Sequence, residues 1–212
     1  MIKAVLFDFD GTLINTNDLI FASYKKAFKD VLNREISLDD MLKLYGRPLY
    51  SSLACYGDKQ DEIYRVYREF NESRHDYMAK SFSGALEGVK KIREKGIKTA
   101  IVTSKKPPLV KRGLEIIKMK DMFEVIVTPE DTEKTKPDPE PVLLGCKLLG
   151  VKPAESIYVG DSIFDMEAGQ KAGTKLCAVK YSLTKPEQLL RFSPDYFVST
   201  IEELADILEG NL

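Results

Sequence analysis

The chain of 212 residues predicts an α/β protein, a doubly wound, Rossmann-like parallel sheet core with an inserted helical cap. From residue 81 onward, short apolar runs alternate with amphipathic stretches, as in parallel sheets whose strands are joined by crossover helices. In residues 16–80, by contrast, apolar residues recur at helical spacing without a convincing strand pattern. We therefore expect an α/β core domain of residues 1–15 plus 81–212 and a helical cap domain of residues 16–80.

The first predicted strand covers residues 2–8, an apolar run that ends at Asp8. A continuous apolar run is typical of a strand that is buried on both faces. Asp10 and Gly11 follow, so two carboxylates that resist joint ionisation stand at the end of this strand, where the glycine allows a turn. In open α/β sheets, ligands bind at the carboxyl ends of the strands. We therefore expect both aspartates to serve a functional site.

The predicted cap has apolar residues at helical spacing in residues 19–31 and again in residues 63–70. Residues 44–48, which include a glycine and a proline, interrupt the pattern between these stretches. We expect several short helices, with the aromatic residues of the second stretch in the cap core. The single histidine, His75, lies on this charged stretch and is interpreted as structural.

After residue 83, predicted helices and strands alternate, and glycines such as Gly96, Gly150 and Gly173 stand where helical patterns end. The predicted helices are residues 86–95, 109–117, 141–149, 164–172 and 201–208. The predicted strands are residues 98–103, 123–127, 157–160, 176–179 and 196–198. This alternation indicates a parallel sheet with right-handed crossovers.

Composition excludes several classes of protein. A net charge of −1 and an isoelectric point of about 6.0 provide no broad basic surface, so we expect neither a nucleic-acid nor a membrane partner. No apolar run approaches the ~20 residues that span a bilayer, and Asp8 interrupts the only N-terminal run that could serve a signal peptide. The three cysteines form no CxxC pair, which favours reduced thiols. We expect a cytoplasmic protein, either a monomer or a small homo-oligomer.

Four polar clusters lie at the ends of predicted strands or just beyond them. They are residues 8–12, 103–105, 136–141 and 160–165. Each cluster is common by itself, but their order on alternating elements indicates a site for phosphoryl transfer.

The chemistry can be assembled from these clusters. A carboxylate can attack phosphorus and form an aspartyl phosphate, which divides one difficult hydrolysis into two easier steps, and Asp8 suits that role. Asp10 can protonate the leaving oxygen and then activate water. Lys136 supplies a positive charge to the nucleophile and to the transferring phosphoryl group.

Approach of an anionic substrate to these carboxylates requires a countercharge, and Mg²⁺ with oxygen ligands fits. The candidate ligands are Asp8, Asp10, Asp161 and Asp165. Because Asp165 follows Asp161 by one helical turn, it could instead orient that ligand or a metal-bound water.

Three residues are candidates for binding the substrate. Thr103 and Ser104 precede a predicted helix, where a hydroxyl and backbone N–H groups can bind phosphoryl oxygens. Arg47 lies at the interruption in the cap and could reach an anionic leaving group. Lys105 and Lys106 fit attraction of phosphate and a solvated helix start equally well.

The four clusters closely resemble those of the haloacid dehalogenase-like hydrolases, in order and along essentially the whole chain. This resemblance implies that Asp8 is the nucleophile and Asp10 the general acid/base. It also implies that the backbone carbonyl of Asp10 joins Asp8 and Asp161 on the metal, and that the cap is inserted where the helical segment lies. Dehalogenases lack an aspartate at the Asp10 position, so Asp10 favours phosphate chemistry.

Within this family, the chain is most similar to the bacterial pyrophosphatase and phosphoglycolate phosphatase group. The likeness lies in residues 10–17, 67–71, 136–141 and 172–175. It implies inorganic pyrophosphate or another small phosphorylated metabolite as the substrate, with 2-phosphoglycolate as the next candidate. One departure is Tyr181, where many relatives carry tryptophan.

Two alternatives remain at this point. A sugar phosphomutase of the same family would need the same core and would differ in letting the substrate reorient. A phosphoacceptor signalling domain, which is not an enzyme, also uses an acid cluster, a threonine or serine and a lysine. Such a domain would be shorter, without a cap, and its phosphorylated aspartate would not end the first strand.

Overall fold

The computed structural model describes residues 1–46 and 48–209 and divides the chain into two compact units. The core unit comprises Met1–Asn15 and the chain from Lys80 onward, and the helical unit comprises Thr16–Ala79. Arg47, the candidate substrate-binding residue of the cap, lies outside the described residues.

Strands and helices alternate along the core unit. The strands are Ala4–Phe7 (β1), Ile14–Asn15 (β2), Lys80–Ser81 (β3), Lys98–Val102 (β4), Val125–Val127 (β5), Ser156–Gly160 (β6), Lys175–Val179 (β7) and Tyr196–Val198 (β8). The α-helices of both units are Asn17–Leu32 (α1), Leu38–Leu44 (α2), Leu49–Ser52 (α3), Gln60–Met78 (α4), Ala85–Glu94 (α5), Pro107–Ile116 (α6), Glu140–Leu149 (α7), Ile163–Ala172 (α8), Pro186–Leu190 (α9) and Ile201–Glu209 (α10). Two 3₁₀ helices, Ala54–Lys59 and Pro153–Glu155, complete these elements.

Six of the strands form one sheet in the order β5-β4-β1-β6-β7-β8, and each neighbouring pair is parallel. The chain builds outward from β1 through β4 to β5 and then crosses to β6 on the other side of β1. Ligands bind at such a reversal of strand order, in the crevice beyond the carboxyl ends of the strands. The predicted doubly wound parallel sheet is confirmed.

The central strand β1 is completely buried, which explains its uninterrupted apolar sequence. On one face, Leu6 packs in a cluster with Val102, Val142 and Tyr158, from β4, α7 and β6. This packing fixes the three strand ends that carry the polar clusters. The observed strand stops at Phe7, so Asp8 is the first residue beyond it.

The helical unit departs from the predicted set of short helices, because α1 and α4 have 16 and 19 residues. Their buried faces include the polar residues Ser23, Asn71 and His75, which interrupt the apolar periodicity and hide the full length of the helices. Among the described residues, α2 ends at Leu44 and α3 begins at Leu49, on either side of the interruption that the sequence predicts.

Four short elements of the core unit were not predicted: β2, β3, α9 and the 3₁₀ helix Pro153–Glu155. β2 and β3 pair antiparallel through two residues each, Ile14 with Ser81 and Asn15 with Lys80. Two residues are too few to show an alternating pattern.

Within residues 1–46 and 48–209, the structure contains no helix that combines the length and the apolar character of a membrane span.

Candidate active site

The polar clusters meet at one edge of the sheet because they follow neighbouring parallel strands. Asp8 follows β1, Thr103 follows β4 and Asp161 follows β6, and β1 lies between the other two strands. Lys136 reaches the same edge from the loop that precedes α7. The structure therefore brings together residues from all four clusters.

Lys136 is the central positive charge of the site and is only 5% exposed. Its Nζ donates to Asp8 Oδ1 at 2.8 Å and to Asp165 Oδ1 at 2.6 Å, and it lies 3.4 Å from the carbonyl oxygen of Val102. Burial lowers the pKa of Lys136, but the charges of Asp165 and Asp8 outweigh this and hold the pKa well above its usual value. The side chain is therefore an ammonium shared by two carboxylates.

Both carboxylate oxygens of Asp165 accept hydrogen bonds from protein donors. Its Oδ1 accepts from Lys136 and lies 3.2 Å from the Tyr158 hydroxyl, while its Oδ2 accepts from the backbone N–H of Ser162 at 3.0 Å and from the Ser162 hydroxyl at 2.5 Å. Ser162 and Asp165 form a capping box at the start of α8. A Cβ on Gly160 would lie 2.3 Å from the Cβ of Asp165, so only glycine leaves room for this carboxylate.

Asp8 is buried, with 8% of its surface exposed. Burial raises the pKa of Asp8 from 3.8 to about 7, with Lys136 opposing the rise and Asp165 adding to it. Burial therefore stabilises the protonated form of this carboxyl group relative to that of an exposed aspartate. A cation bound beside this carboxyl group would favour the ionised form, which is the form that can act as a nucleophile.

Three carboxylates form a cluster that suits a hard cation. Asp8, Asp161 and Asp165 each offer an oxygen, and these oxygens lie within 4.8 Å of one another. One ammonium among three buried carboxylates leaves net negative charge, and oxygen ligands suit Mg²⁺. Of the three, Asp165 already has both oxygens engaged by protein donors.

Asp10 lies outside this carboxylate cluster. Its Oδ1 accepts from Lys105 Nζ at 2.7 Å, and the Lys105 side chain is only 8% exposed. Gly11 has a φ of 81°, and the turn that follows returns the N–H groups of Leu13 and Ile14 to the carbonyl oxygen of Phe9 at 3.0 Å. This turn presents Asp10 beyond the strand end. Lys105, for which the sequence left two roles open, is a buried partner of Asp10 rather than a solvated lysine.

Thr103 and Ser104 lie beside Lys136 and line the same small cleft. The Thr103 hydroxyl oxygen accepts from the N–H of Lys105 at 3.1 Å, so its hydroxyl hydrogen remains available for an oxygen acceptor. The Thr103 N–H donates to Val127 on β5 at 3.0 Å, which fixes the loop after β4.

Sequence reasoning placed Lys105, Gly160 and Ser162 within the polar clusters but left the role of Lys105 open and gave Gly160 and Ser162 none, and Tyr158 lay outside every cluster. Two of them had a local signal. Tyr158 is a residue with a polar tip inside an otherwise apolar strand, and Ser162 with Asp165 matches the spacing of a capping box. Gly160 and Lys105 owe their roles to contacts that only the folded chain creates.

Comparisons with known proteins identify the family of the chain. A family model described as "Haloacid dehalogenase-like hydrolase" matches residues 5–179. A protein of Clostridium perfringens named "Putative pyrophosphatase PpaX" is 44% identical over 210 residues, 99% of this chain and 98% of that protein. "Pyrophosphatase PpaX" of Bacillus cereus (strain AH820) is 36% identical over 208 residues, covering 98% of this chain and 96% of the relative.

Among solved structures, a haloacid dehalogenase-like family hydrolase of Streptococcus pneumoniae shares the fold. It has a TM-score of 0.87 at 21% identity, with 98% of each chain covered. The resemblance drawn from the motifs is therefore confirmed.

Proposed function

Because the chain belongs to the haloacid dehalogenase-like hydrolase family and is a phosphohydrolase, we propose that it hydrolyses inorganic pyrophosphate with Mg²⁺ through an aspartyl phosphate on Asp8. The observation that carries the proposal is the buried Lys136 ammonium, held 2.8 Å from the Asp8 carboxylate at the end of the central strand. The identity to relatives named pyrophosphatase supports the choice of substrate.

In the first step, an Asp8 oxygen attacks one phosphorus of pyrophosphate, and the bond to the bridging oxygen breaks. Asp10, in its protonated form, gives its proton to the departing phosphate. Lys136 stabilises the negative charge on the nucleophile and on the transferring group, in a buried site where its charge is little screened. The Thr103 hydroxyl and the adjacent Ser104 bind phosphoryl oxygens.

In the second step, Asp10 accepts a proton from water as the water attacks the phosphorus of the aspartyl phosphate. The bond between phosphorus and the Asp8 oxygen breaks, which releases phosphate and restores both aspartates. Lys105, at 2.7 Å from Asp10, positions this carboxyl group between its two tasks.

The carboxylates of Asp8 and Asp161 and the backbone carbonyl of Asp10 would hold Mg²⁺, and Asp165 remains a candidate ligand by distance. We assign to Asp165 mainly the task of holding Lys136, because both of its oxygens already accept hydrogen bonds. When bound, Mg²⁺ would polarise a phosphoryl oxygen and offset the charge of the substrate.

The test is a screen of phosphate release by the purified chain with Mg²⁺, across pyrophosphate, 2-phosphoglycolate, sugar phosphates and nucleotides. We expect the highest kcat/KM on pyrophosphate, and hydroxylamine should trap an acyl phosphate in the wild type but not in Asp8→Asn. A higher kcat/KM on 2-phosphoglycolate would contradict the proposal that pyrophosphate is the preferred substrate. Conversion of one sugar phosphate into its isomer without net phosphate release would contradict hydrolysis and favour a mutase.

A further inference from the structure

Two neighbouring residues in the loop after β7 contact both acidic loops of the site. The Tyr181 hydroxyl donates to the backbone carbonyl of Thr12 at 2.6 Å, two residues beyond Asp10. The Ser182 hydroxyl donates to the backbone carbonyl of Asp161. These contacts connect positions that are 169 and 21 residues apart in sequence.

The direction of the serine contact follows from its other partner. Ser182 Oγ accepts from the backbone N–H of Thr184 at 2.8 Å, which turns its hydroxyl hydrogen toward an acceptor, and the Asp161 carbonyl supplies one. The loop therefore holds the serine in the orientation that the Asp161 loop needs.

The tyrosine is anchored by its ring. The rings of Tyr181 and Phe82 have centroids 4.3 Å apart and planes tilted by 31°. The Phe82 N–H donates to the Leu13 carbonyl at 3.3 Å, so the residue that packs against the Tyr181 ring also holds the chain next to Thr12. The tyrosine hydroxyl therefore meets a carbonyl whose position is already restricted.

We propose that Tyr181 and Ser182 are positioning residues that set the distance between the Asp10 loop and the Asp161 loop. This inference rests on the proposed function, in which the Asp10 carbonyl and the Asp161 carboxylate are ligands of one Mg²⁺. Each loop follows a different strand, β1 or β6, and the loop after β7 adds a common support beyond the sheet. Outer contacts of this kind orient metal ligands, and their loss typically weakens metal binding about 10–100-fold.

The test measures Mg²⁺ binding by isothermal titration calorimetry without substrate, together with the Mg²⁺ dependence of pyrophosphate hydrolysis. We expect Ser182→Ala to weaken Mg²⁺ binding about tenfold and Tyr181→Phe to weaken it less, with kcat largely restored at saturating Mg²⁺. Ser182→Thr keeps the hydroxyl and should keep the affinity of the wild type.

Ser156→Ala is the matched control. The Ser156 hydroxyl is buried and donates to a backbone carbonyl, that of Pro153 at 2.8 Å, but it lies at the opposite end of β6. Unchanged Mg²⁺ affinity in both Ser182→Ala and Tyr181→Phe would overturn the proposal, as would an equal loss in Ser156→Ala. Absence of Mg²⁺ binding by the wild type would instead overturn the proposed metal site itself, so the two failures are distinguishable.

Discussion

The core unit and the helical unit both bury polar side chains, but they satisfy them in opposite ways. In the core unit, a buried ammonium of Lys136 is shared by Asp8 and Asp165, which are 128 and 29 residues away in sequence. In the helical unit, Asn71 donates to Ser23 Oγ at 3.1 Å and Ser23 donates to the Leu19 carbonyl at 2.6 Å, a neutral chain between two helices.

The difference shows what each network is for. Burying charges carries a desolvation penalty that a fold can avoid with apolar residues, so a buried ion network at the end of strands indicates chemistry. A neutral chain of hydrogen bonds between α1 and α4 costs little and fixes how two helices pair. The four predictions that follow separate these two kinds of network, beginning with the largest expected effect.

Asp8→Asn should lower turnover at least about 10³-fold, because a carboxamide is not a nucleophile and one member of a catalytic unit is removed. Circular dichroism and thermal denaturation should show a folded protein, since the side chain keeps its size. Phosphate release from pyrophosphate measures the effect. A variant with wild-type turnover would show that the charged network is structural after all.

Lys136→Met should destabilise the metal-free protein by about 3–5 kcal/mol at pH 8, because two buried carboxylates lose their shared ammonium. Urea denaturation gives the free energy of unfolding. Lys134→Met is a matched control, since Lys134 is an exposed lysine on the same loop that pairs with Asp138. If Lys136→Met and Lys134→Met had the same free energy of unfolding, the buried ammonium would contribute no more to stability than an exposed lysine does, which would contradict the proposed contrast.

The difference in stability between Asp8→Asn and the wild type should depend on pH. The pKa of Asp8 is 3.8 in the unfolded chain and about 7 in the fold, so ionisation costs the folded state more than the unfolded state. The wild type therefore loses stability as pH rises from about 4 to about 7, by about 1.4 kcal/mol per pKa unit at most, and Asn cannot titrate. Urea denaturation of both proteins in the presence of EDTA should show a difference in the free energy of unfolding that grows over this pH range and then levels off. A constant difference would indicate that Asp8 titrates normally.

Asn71→Ala should give the smallest effect, a loss of about 1–2 kcal/mol from the removed hydrogen bond, independent of pH between 5 and 8. Ser23 keeps its bond to the Leu19 carbonyl, so no buried hydroxyl is stranded. We expect kcat on pyrophosphate to remain unchanged. A marked fall in kcat would give the neutral network a part in catalysis and erase the contrast.

Much of the core could be predicted from sequence because local patterns encode it. Buried strands such as β1 and β6 read as apolar runs, and parallel pairing then places Asp8 and Asp161 at one edge. Lys136 was assigned through its cluster, but its second partner was not, since no spacing rule relates Lys136 to Asp165.

The remaining features depend on contacts between segments that are distant in sequence or on elements too short to show a pattern. Tyr181 and Ser182 reach the acidic loops only because β7 lies beside β6 in the folded sheet. Ser23 and Asn71 conceal the full length of α1 and α4, because their mutual hydrogen bond lets polar residues occupy a buried face. Such compensation between partners is visible only when both are placed.

The capping box of α8 gives the site a built-in spectroscopic probe. The backbone N–H of Ser162 donates a hydrogen bond to Asp165, and the Lys136 ammonium donates hydrogen bonds to both Asp165 and Asp8. A change of charge at Asp8, whether from a proton, a cation or a phosphoryl group, alters the field along this line of three contacts. The nuclear magnetic resonance of one backbone amide, on a residue that takes no part in the reaction, should therefore record the chemical state of the nucleophile.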